Sequence, residues 1–263
     1  MSSIFITGAT SGFGAATARR FAKDGWSIVI TGRREDRLHA LAEELSGQAK
    51  VLPLVLDVQD RAAVEAAVAG LPEEFNQLRA LVNNAGLALG NTPAQSCDLD
   101  DWDTMVDTNI KGMLYCTRLL LPRLIAHGAG AGIVNLGSVA GDYPYPGSHV
   151  YGATKAFLKQ FSLSLRSDLL GTGVRVTNIE PGLSESEFSV VRFGGDKAKA
   201  DAWQSPVSLG LVQPGRTLQV PLDRLPPLEA NQLFELTLED QGGSPTGRPT
   251  GPIQFIGRAV KVL

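Results

Sequence analysis

The stretch Thr7-Gly8-Ala9-Thr10-Ser11-Gly12-Phe13-Gly14 joins a short apolar run at 4–6 to an amphipathic segment that starts at Ala15. Glycines in such a turn let backbone N–H groups approach a diphosphate, and a following helix adds the positive end of its dipole. The pattern therefore predicts a strand, a pyrophosphate-binding turn and a helix. A tight strand-to-helix turn that needs positive φ is the other interpretation of these glycines.

Short apolar runs alternate with amphipathic stretches over the first 200 residues. This alternation is typical of βαβ units, and it predicts an α/β fold: a doubly wound parallel sheet with helices on both faces. The predicted strands are 4–6, 28–31, 51–56, 80–83, 133–136 and 174–179, and the predicted helices are 15–23, 35–45, 62–69, 102–126 and 151–170.

Arg33 and Arg34 follow the second predicted strand. Folds that bind NAD place an acidic residue at this point for the ribose 2′-hydroxyl. Two guanidinium groups suit a 2′-phosphate instead, because they donate paired, charge-assisted hydrogen bonds to it. The sequence therefore predicts NADP(H) as the cofactor; the alternative is that both arginines lie in a solvated loop.

Two further strand ends carry polar residues that belong at the carboxyl edge of the predicted sheet. Asp57 and Val58 close the third strand, and Asn83-Asn84-Ala85-Gly86 closes the fourth. Open α/β sheets bind ligands at this edge, which makes these residues candidates for the adenosine side of the cofactor. A helix N-cap at Asp57 and a simple turn at the asparagines are equally open interpretations.

Acid–base chemistry is predicted for Ser138, which follows the fifth strand, and for Tyr151 and Lys155. Tyr151 and Lys155 stand four residues apart and so share one helix face. A nearby ammonium lowers the pKa of a phenol from its usual value of about 10. A chance pairing of Tyr and Lys on a helix surface is the alternative.

Taken together, these elements resemble the short-chain dehydrogenase/reductase family over about residues 1–200. The resemblance is carried by Thr7-Gly8-x-x-x-Gly12-x-Gly14, Asn83-Asn84-Ala85-Gly86, Asn109, Ser138, Tyr151-x-x-x-Lys155 and Pro181-Gly182, in that order. It implies an NAD(P)-dependent oxidoreductase with a Rossmann-type sheet.

The resemblance also implies roles for single residues. Tyr151 is the acid/base, Ser138 orients the substrate oxygen, and Lys155 binds the nicotinamide ribose and lowers the pKa of Tyr151. Asn109 holds a water of the proton relay, or else makes a polar contact inside a helix. The predicted cofactor-binding residues are Gly8, Thr10, Ser11, Gly12, Phe13, Gly14, Arg33, Arg34, Asp57, Val58, Asn83, Ala85, Gly86, Tyr151, Lys155, Pro181 and Gly182.

A narrower likeness lies in residues 180–183 and 187–196. They resemble the NADP-dependent 3-hydroxy acid dehydrogenases, which oxidise serine, allo-threonine and related acids. In that group the segment after Pro181-Gly182 borders the substrate. Arg192 is therefore predicted to bind the substrate carboxylate beside Ser138 and Tyr151, or else to anchor its loop through a salt bridge.

The chain changes character after about residue 201, because eight of its 15 prolines fall between residues 203 and 263. Apolar runs at 207–212, 218–222, 233–238 and 253–263 alternate at strand period and are separated by Pro/Gly turns, which predicts a β-rich tail over 202–263. A long irregular extension is the alternative. The tail resembles the C-terminal part of anti-sigma-K-type factors, which suggests a fusion onto a 1–201 dehydrogenase domain.

Composition excludes several other functions. With 24 basic against 27 acidic residues the formal net charge is −3, so no basic footprint for nucleic acid is present. Two cysteines and three scattered histidines provide neither a disulfide framework nor metal-ligand spacing. No long apolar run predicts a membrane helix, and we expect a soluble cytoplasmic protein.

Assembly and activity complete the expectations. The apolar helices 102–126 and 151–170 match those that family members commonly pair, which predicts a homodimer. A cofactor-binding regulator without turnover, or an enzyme weakened by its tail, remains the alternative to a fully active dehydrogenase.

Overall fold

Six parallel strands form one sheet in the computed structural model, which describes residues 2–182, 184, 186–203, 233–237 and 253–258. The order along the sheet is β3-β2-β1-β4-β5-β6, so its direction of growth reverses between β1 and β4. Such a reversal opens a ligand-binding crevice at the carboxyl ends of the strands. The predicted doubly wound Rossmann-type fold is confirmed. The strands are β1 (Ser3–Ile6), β2 (Ser27–Gly32), β3 (Val51–Val55), β4 (Leu78–Asn83), β5 (Gly132–Leu136) and β6 (Arg175–Ile179).

Helices cover both faces of this sheet because alternate strand residues point to opposite layers. Ile4 and Ile6 of β1 pack in a cluster with residues of the first two helices. Phe5, between them, packs with residues of the third, fifth and sixth. The helices are α1 (Gly12–Lys23), α2 (Glu35–Leu45), α3 (Arg61–Ala69), α4 (Leu99–Val106), α5 (Met113–His127), α6 (His149–Asp168), α7 (Phe188–Arg192) and α8 (Lys197–Trp203); single 3₁₀ turns lie at Glu73–Phe75, Ala94–Ser96 and Val139–Gly141.

The helix predicted at 102–126 is interrupted by a π-helical turn. Asp107–Gly112 separates α4 from α5, and it contains Asn109. Turns of this kind widen a helix and are frequent at functional sites. A side chain at Gly112 would meet Cγ2 of Val58 at 2.5 Å, so this turn packs directly on the residue that follows the third strand.

A chain of buried polar side chains, which we call the asparagine chain, links β4 and β5 to the helices above them. Asn83 and Asn135 are register partners on neighbouring strands. Nδ2 of Asn83 donates to Thr117 Oγ1 at 2.9 Å and to Asn135 Oδ1 at 2.8 Å. Nδ2 of Asn135 donates to Ser162 Oγ at 2.8 Å. These bonds fix α5 and α6, which carry Thr117 and Ser162, to the two strands.

The protein divides into two compact units, residues 1–195 and 196–263. The second unit contains α8 and an antiparallel pair of strands, β7 (Leu233–Thr237) and β8 (Ile253–Arg258). The predicted strands 207–212 and 218–222 lie outside the described residues, as do 238 and 259–263. The β-rich character of the whole tail therefore stays a prediction.

In the described part of the chain, no helix combines the length and the apolar character that a membrane crossing needs. Over the same residues, no three His, Cys, Asp or Glu side chains come together as a metal site.

Candidate active site

The turn from β1 to α1, residues 7–14, is fastened to the end of β4. We call it the glycine turn. The Thr7 hydroxyl accepts hydrogen bonds from the backbone N–H groups of Asn84 and Ala85 at 3.0 and 2.9 Å. Nδ2 of Asn84 donates to the carbonyls of Thr7 and Gly8, both at 2.9 Å. The motif Asn83–Gly86 thus holds the turn in place through Asn84 and Ala85.

Two glycines of this turn have no room for a side chain. Gly8 has φ +65°, and a Cβ there would lie 2.8 Å from Cα of Ala85. A Cβ on Gly14 would lie 2.4 Å from the carbonyl oxygen of Gly8. Ser11 is the N-cap of α1, but its side chain does not cap the helix. Bare backbone and an uncapped helix N-terminus fit the diphosphate of a dinucleotide.

Arg34 lies over this turn. Its Nη2 donates to Thr10 Oγ1 at 2.8 Å and to Ser11 Oγ at 3.0 Å. Arg33 is more exposed and lies 3.7 Å from a carboxylate oxygen of Asp57. The structure therefore brings together both arginines, the glycine turn and the end of β3, as the sequence predicts.

A third arginine joins this cluster and was missed by sequence reasoning. Arg37 is on the first turn of α2, and its Nη1 contacts the same Glu187 carboxylate that Nη1 of Arg34 contacts, at 2.6 and 3.0 Å. Its position three residues after Arg34 was the available signal, because residues three apart share a helix face.

The residues after β3 have distinct contacts. Oδ1 of Asp57 accepts from the backbone N–H of Gln59 at 3.0 Å. Asp60, and not Asp57, is the N-cap of α3, since its side chain accepts from the N–H of Ala63. Val58 is buried beneath the π turn. Asp57 is therefore not a helix cap, and its second carboxylate oxygen lies near Arg33.

Tyr151 and Lys155 lie on α6 and are both buried, with 8% and 6% of their surface exposed. Nζ of Lys155 donates to the carbonyl of Leu136 at 2.6 Å and lies 5.7 Å from the centroid of the Tyr151 ring. Ser138 follows β5 and accepts from the N–H of Ala140 at 3.1 Å, and its side chain acts on the Tyr151 phenol to lower the pKa of that phenol. The predicted Ser–Tyr–Lys group is thus assembled at the end of β5.

Burial controls the protonation of this group. It raises the pKa of Tyr151 to about 12, against the opposing effects of the Ser138 hydrogen bond and the Arg192 charge. It also lowers the pKa of Lys155 to about 8. The sequence predicted a lowered pKa for Tyr151; the structure gives the opposite direction, because the loss of water around the phenolate outweighs the favourable contacts. Tyr151 is therefore protonated at neutral pH.

Asn109 lies in the π turn and is buried. Its side chain pairs with the backbone of Leu87 in both directions at 2.8 Å, and Nδ2 donates to Thr154 Oγ1 at 3.0 Å. The Thr154 hydroxyl donates in turn to the carbonyl of Tyr151 at 2.7 Å. The structure therefore shows Asn109 making polar contacts inside a helix, which was the alternative to its holding a water. These contacts connect Leu87 to α6.

The remaining predicted cofactor residues differ in their exposure to this site. The amide of Asn83 is engaged in the buried asparagine chain, which leaves only its backbone near the crevice. A Cβ on Gly86 would lie 3.5 Å from Nζ of Lys155, so its backbone borders the site. Phe13 is half-exposed at the glycine turn. The carbonyl of Pro181, next to Gly182, accepts from the N–H of Val139 at 3.2 Å.

Arg192 ends α7 and places a buried positive charge beside the Tyr151 phenol. Only 5% of the residue is exposed. Nη2 donates to the Tyr145 hydroxyl at 2.6 Å, and Cζ lies 5.2 Å from the centroid of the Tyr151 ring. Tyr145, whose ring also contacts the guanidinium, was missed because nothing in the sequence distinguishes it from other loop tyrosines.

A doubly wound sheet, a glycine turn at its reversal point and a buried Ser–Tyr–Lys group at a neighbouring strand end define a dinucleotide-dependent oxidoreductase. Residues 2–193 match the family model for short chain dehydrogenases. The chain belongs to the short-chain dehydrogenase family. Residues 198–253 match the C-terminal model of the anti-sigma-K factor RskA, so both predicted resemblances are confirmed.

Within this family, the chain is similar to several dehydrogenases and reductases whose substrates are named. The chain is 62% identical to sulfoacetaldehyde reductase 2 of Chromohalobacter salexigens, over 76% of this chain and 79% of that one. It is 60% identical to serine 3-dehydrogenase of Agrobacterium fabrum, over 75% and 78%. The solved closed form of serine dehydrogenase complexed with NADP+ aligns with a TM-score of 0.72 and 51% identity, over 76% and 80%.

The glycine turn generates a direct test. Replacement of Gly14 by Ala is expected to raise the Kd for NADP+ at least about tenfold, since the new methyl group collides with the Gly8 carbonyl. Alanine has a higher helix propensity than glycine, so propensity alone would predict no loss; a loss would therefore come from the steric collision. Fluorescence titration measures the Kd. Gly47→Ala, where a Cβ meets nothing within 4 Å, is the control; equal affinities in both variants would contradict the assignment.

Proposed function

We propose that this protein is an NADP(H)-dependent oxidoreductase that transfers hydride between the cofactor and a small anionic hydroxy or carbonyl substrate, a 3-hydroxy acid such as serine or allo-threonine. The observation that carries the substrate class is the buried Arg192 guanidinium, 5.2 Å from the Tyr151 ring centroid. A cation at this distance from the acid/base selects a substrate whose anionic group is a few bonds from the reacting carbon.

Tyr151 is the proposed proton donor in the reducing direction. Its raised pKa of about 12 keeps the phenol protonated at neutral pH. Bound NADPH supplies the hydride. Ser138, whose side chain acts on the phenol to lower its pKa, holds the substrate oxygen beside it. Positioning and proton transfer are thus the contributions of the protein.

Lys155 and Asn109 support this group. Lys155 is anchored on the Leu136 carbonyl at 2.6 Å, and its remaining N–H groups are assigned to the nicotinamide ribose. Asn109 acts as a positioning residue, because its bond to Thr154 fixes the first turn of α6, on which Tyr151 stands. From the family resemblance, we also propose that Asn109 holds a water molecule of the proton relay.

The cofactor is proposed to lie along the carboxyl edge. Its diphosphate binds the glycine turn, its adenosine contacts Asp57 and Val58, and its 2′-phosphate binds Arg33 and Arg34. Three arginines within this cluster, with Arg37 included, favour a phosphorylated ribose over a free one. Ala85, Gly86, Pro181 and Gly182 border the nicotinamide end.

We further propose that residues 1–201 are the catalytic domain and that 202–263 are an added tail. A match to the dehydrogenase model that stops at residue 193 supports this division. A cytoplasmic location is proposed from the cysteine content, since Cys97 and Cys116 are both free thiols.

Removal of the Tyr151 hydroxyl tests the acid/base assignment. Tyr151→Phe is expected to lower kcat at least about a hundredfold, because it deletes the proton donor while it keeps the ring. The Kd for NADPH, measured by fluorescence, is expected to stay within about twofold. Tyr143→Phe, at an exposed tyrosine, is the control. Near-normal turnover of Tyr151→Phe would overthrow the mechanism.

The two arginines after β2 test the cofactor. Combined Arg33→Ala and Arg34→Ala substitutions are expected to raise KM for NADPH about tenfold or more and to change KM for NADH little, because only NADPH carries the phosphate. Steady-state kinetics with both cofactors give the ratio. Arg19→Ala, at an exposed arginine paired with Glu44, is the control. Equal effects on the two cofactors would show that neither arginine binds the phosphate.

Arg192 tests the substrate class. A screen of small 3-hydroxy acids and aldehydes identifies the substrates of the wild-type enzyme. Arg192→Gln is then expected to raise KM for 3-hydroxypropanoate about tenfold or more, through loss of a charge-assisted hydrogen bond. Turnover of 3-hydroxypropanamide, the uncharged isostere, is the matched control and is expected to change little. A similar loss for both compounds would show that Arg192 is structural.

A homodimer is proposed through α4–α5 and α6. The structure buries Met105, Met113, Leu120 and Leu124 within the protomer, yet Phe157 and Leu163 on α6 are 37% and 45% exposed. Light scattering at micromolar concentration is expected to give the dimer mass, and Leu163→Glu to give the monomer. A wild-type monomer or a stable tetramer would contradict this interface.

A further inference from the structure

Glu187 makes a two-arginine ion pair that neither the proposed catalysis nor the proposed cofactor contacts require. Its carboxylate lies 3.0 Å from Nη1 of Arg34 and accepts two hydrogen bonds from Nη1 of Arg37, at 2.6 and 2.8 Å. We call these three residues the Glu187 clasp. It joins the residue before α7 to the region after β2, about 150 positions apart in the chain.

The clasp lies on the guanidinium groups assigned to the 2′-phosphate. Arg34 is fixed by Thr10 and Ser11 through Nη2, so Nη1 is the end that it turns toward Glu187. A phosphate bound by Arg34 and Arg37 seeks the same donors. The Glu187 carboxylate thus occupies the arginines that the 2′-phosphate of the cofactor would bind.

We propose that Glu187 is a specificity-determining residue whose carboxylate competes with the 2′-phosphate of NADP(H) for Arg34 and Arg37 and so limits the preference for NADP(H) over NAD(H). This inference rests on the proposed function, in which Arg34 binds the 2′-phosphate and Arg37 belongs to the same cluster of arginines.

The strength of the clasp suits such competition. All three side chains are partly exposed, between 39% and 44%, so water screens the pairs and a dianion displaces a single carboxylate. NAD(H) has no 2′ anion and leaves the clasp intact. The hydrogen bonds from Arg37 and then Arg34 hold the pKa of Glu187 below its usual range, so the carboxylate is charged throughout the neutral range.

Direct binding measurements test the inference without reference to turnover. Glu187→Gln removes the charge and keeps the shape. By isothermal titration calorimetry, the Kd for NADP+ is expected to fall about threefold to tenfold, while the Kd for NAD+ stays within about twofold. Circular dichroism and the melting temperature establish that the variant is folded.

Two controls make the result specific. Glu44→Gln removes a carboxylate of similar exposure that pairs with Arg19 at 2.7 Å, and it is expected to leave both Kd values unchanged. In a background of Arg34→Ala and Arg37→Gln, the further change Glu187→Gln is expected to have no effect on NADP+ binding, because Glu187 then has no arginine partner left to release.

Unchanged or weaker binding of NADP+ by Glu187→Gln would overturn the inference; weaker binding would mean that Glu187 organises the arginines for the phosphate. The outcome is separable from the proposed function. A wild-type protein that binds NAD+ as tightly as NADP+ defeats the proposed cofactor. A wild type that prefers NADP+, with no gain in Glu187→Gln, defeats this inference alone.

Discussion

The hydrogen bonds between Thr7 and the Asn84–Ala85 backbone fasten the glycine turn to the end of β4, at the point where the order of the strands reverses. One hydroxyl accepts two N–H groups from residues 77 and 78 positions away, and the Asn84 amide returns two bonds to the turn. The glycine turn has its shape because β4 supports it. The position of Gly86 beside Lys155 follows from the same connection. The glycine turn and the buried Ser–Tyr–Lys group are therefore parts of one bonded arrangement.

Burial is the second condition on the site, and it acts in opposite directions on its two titratable groups. It favours the neutral form of each, which moves the pKa of Tyr151 up and that of Lys155 down. The two pKa values therefore move apart, from 10.0 and 10.5 to about 12 for Tyr151 and about 8 for Lys155. Tyr151, which keeps its proton, and Lys155, which loses its proton more readily than an exposed lysine, are thus buried side by side. The Arg192 guanidinium is a further cation next to the Tyr151 ring.

Local sequence patterns predicted the strands, the main helices and the glycine turn, because each depends on neighbours within a few residues. The Ser–Tyr–Lys group was predicted from the order of motifs along the chain and the family resemblance that they carry. Contacts between distant segments were not predictable in this way. Asn84, Arg37, Tyr145 and Glu187 gain their importance from partners that the fold alone brings close. The same holds for Asn83, whose side chain joins the α5–α6 layer because alternate residues of β4 face opposite sides. The pKa of Tyr151 could not be predicted either, since the extent of burial is not visible in a motif.

The asparagine chain places a condition on how this sequence can change over generations. Its side chains are bonded to one another, so an apolar replacement at one of them takes a buried hydrogen bond away from a neighbour, at a cost of about 1–3 kcal/mol where that neighbour has no other partner. Substitutions at Asn83, Asn135, Thr117 and Ser162 are consequently epistatic, and a lineage can exchange them only as a set or through a less stable ancestor. The Glu187 clasp, by contrast, is made of partly exposed side chains that lie outside this chain. Under the proposed function, cofactor preference can therefore change while the interior is held constant.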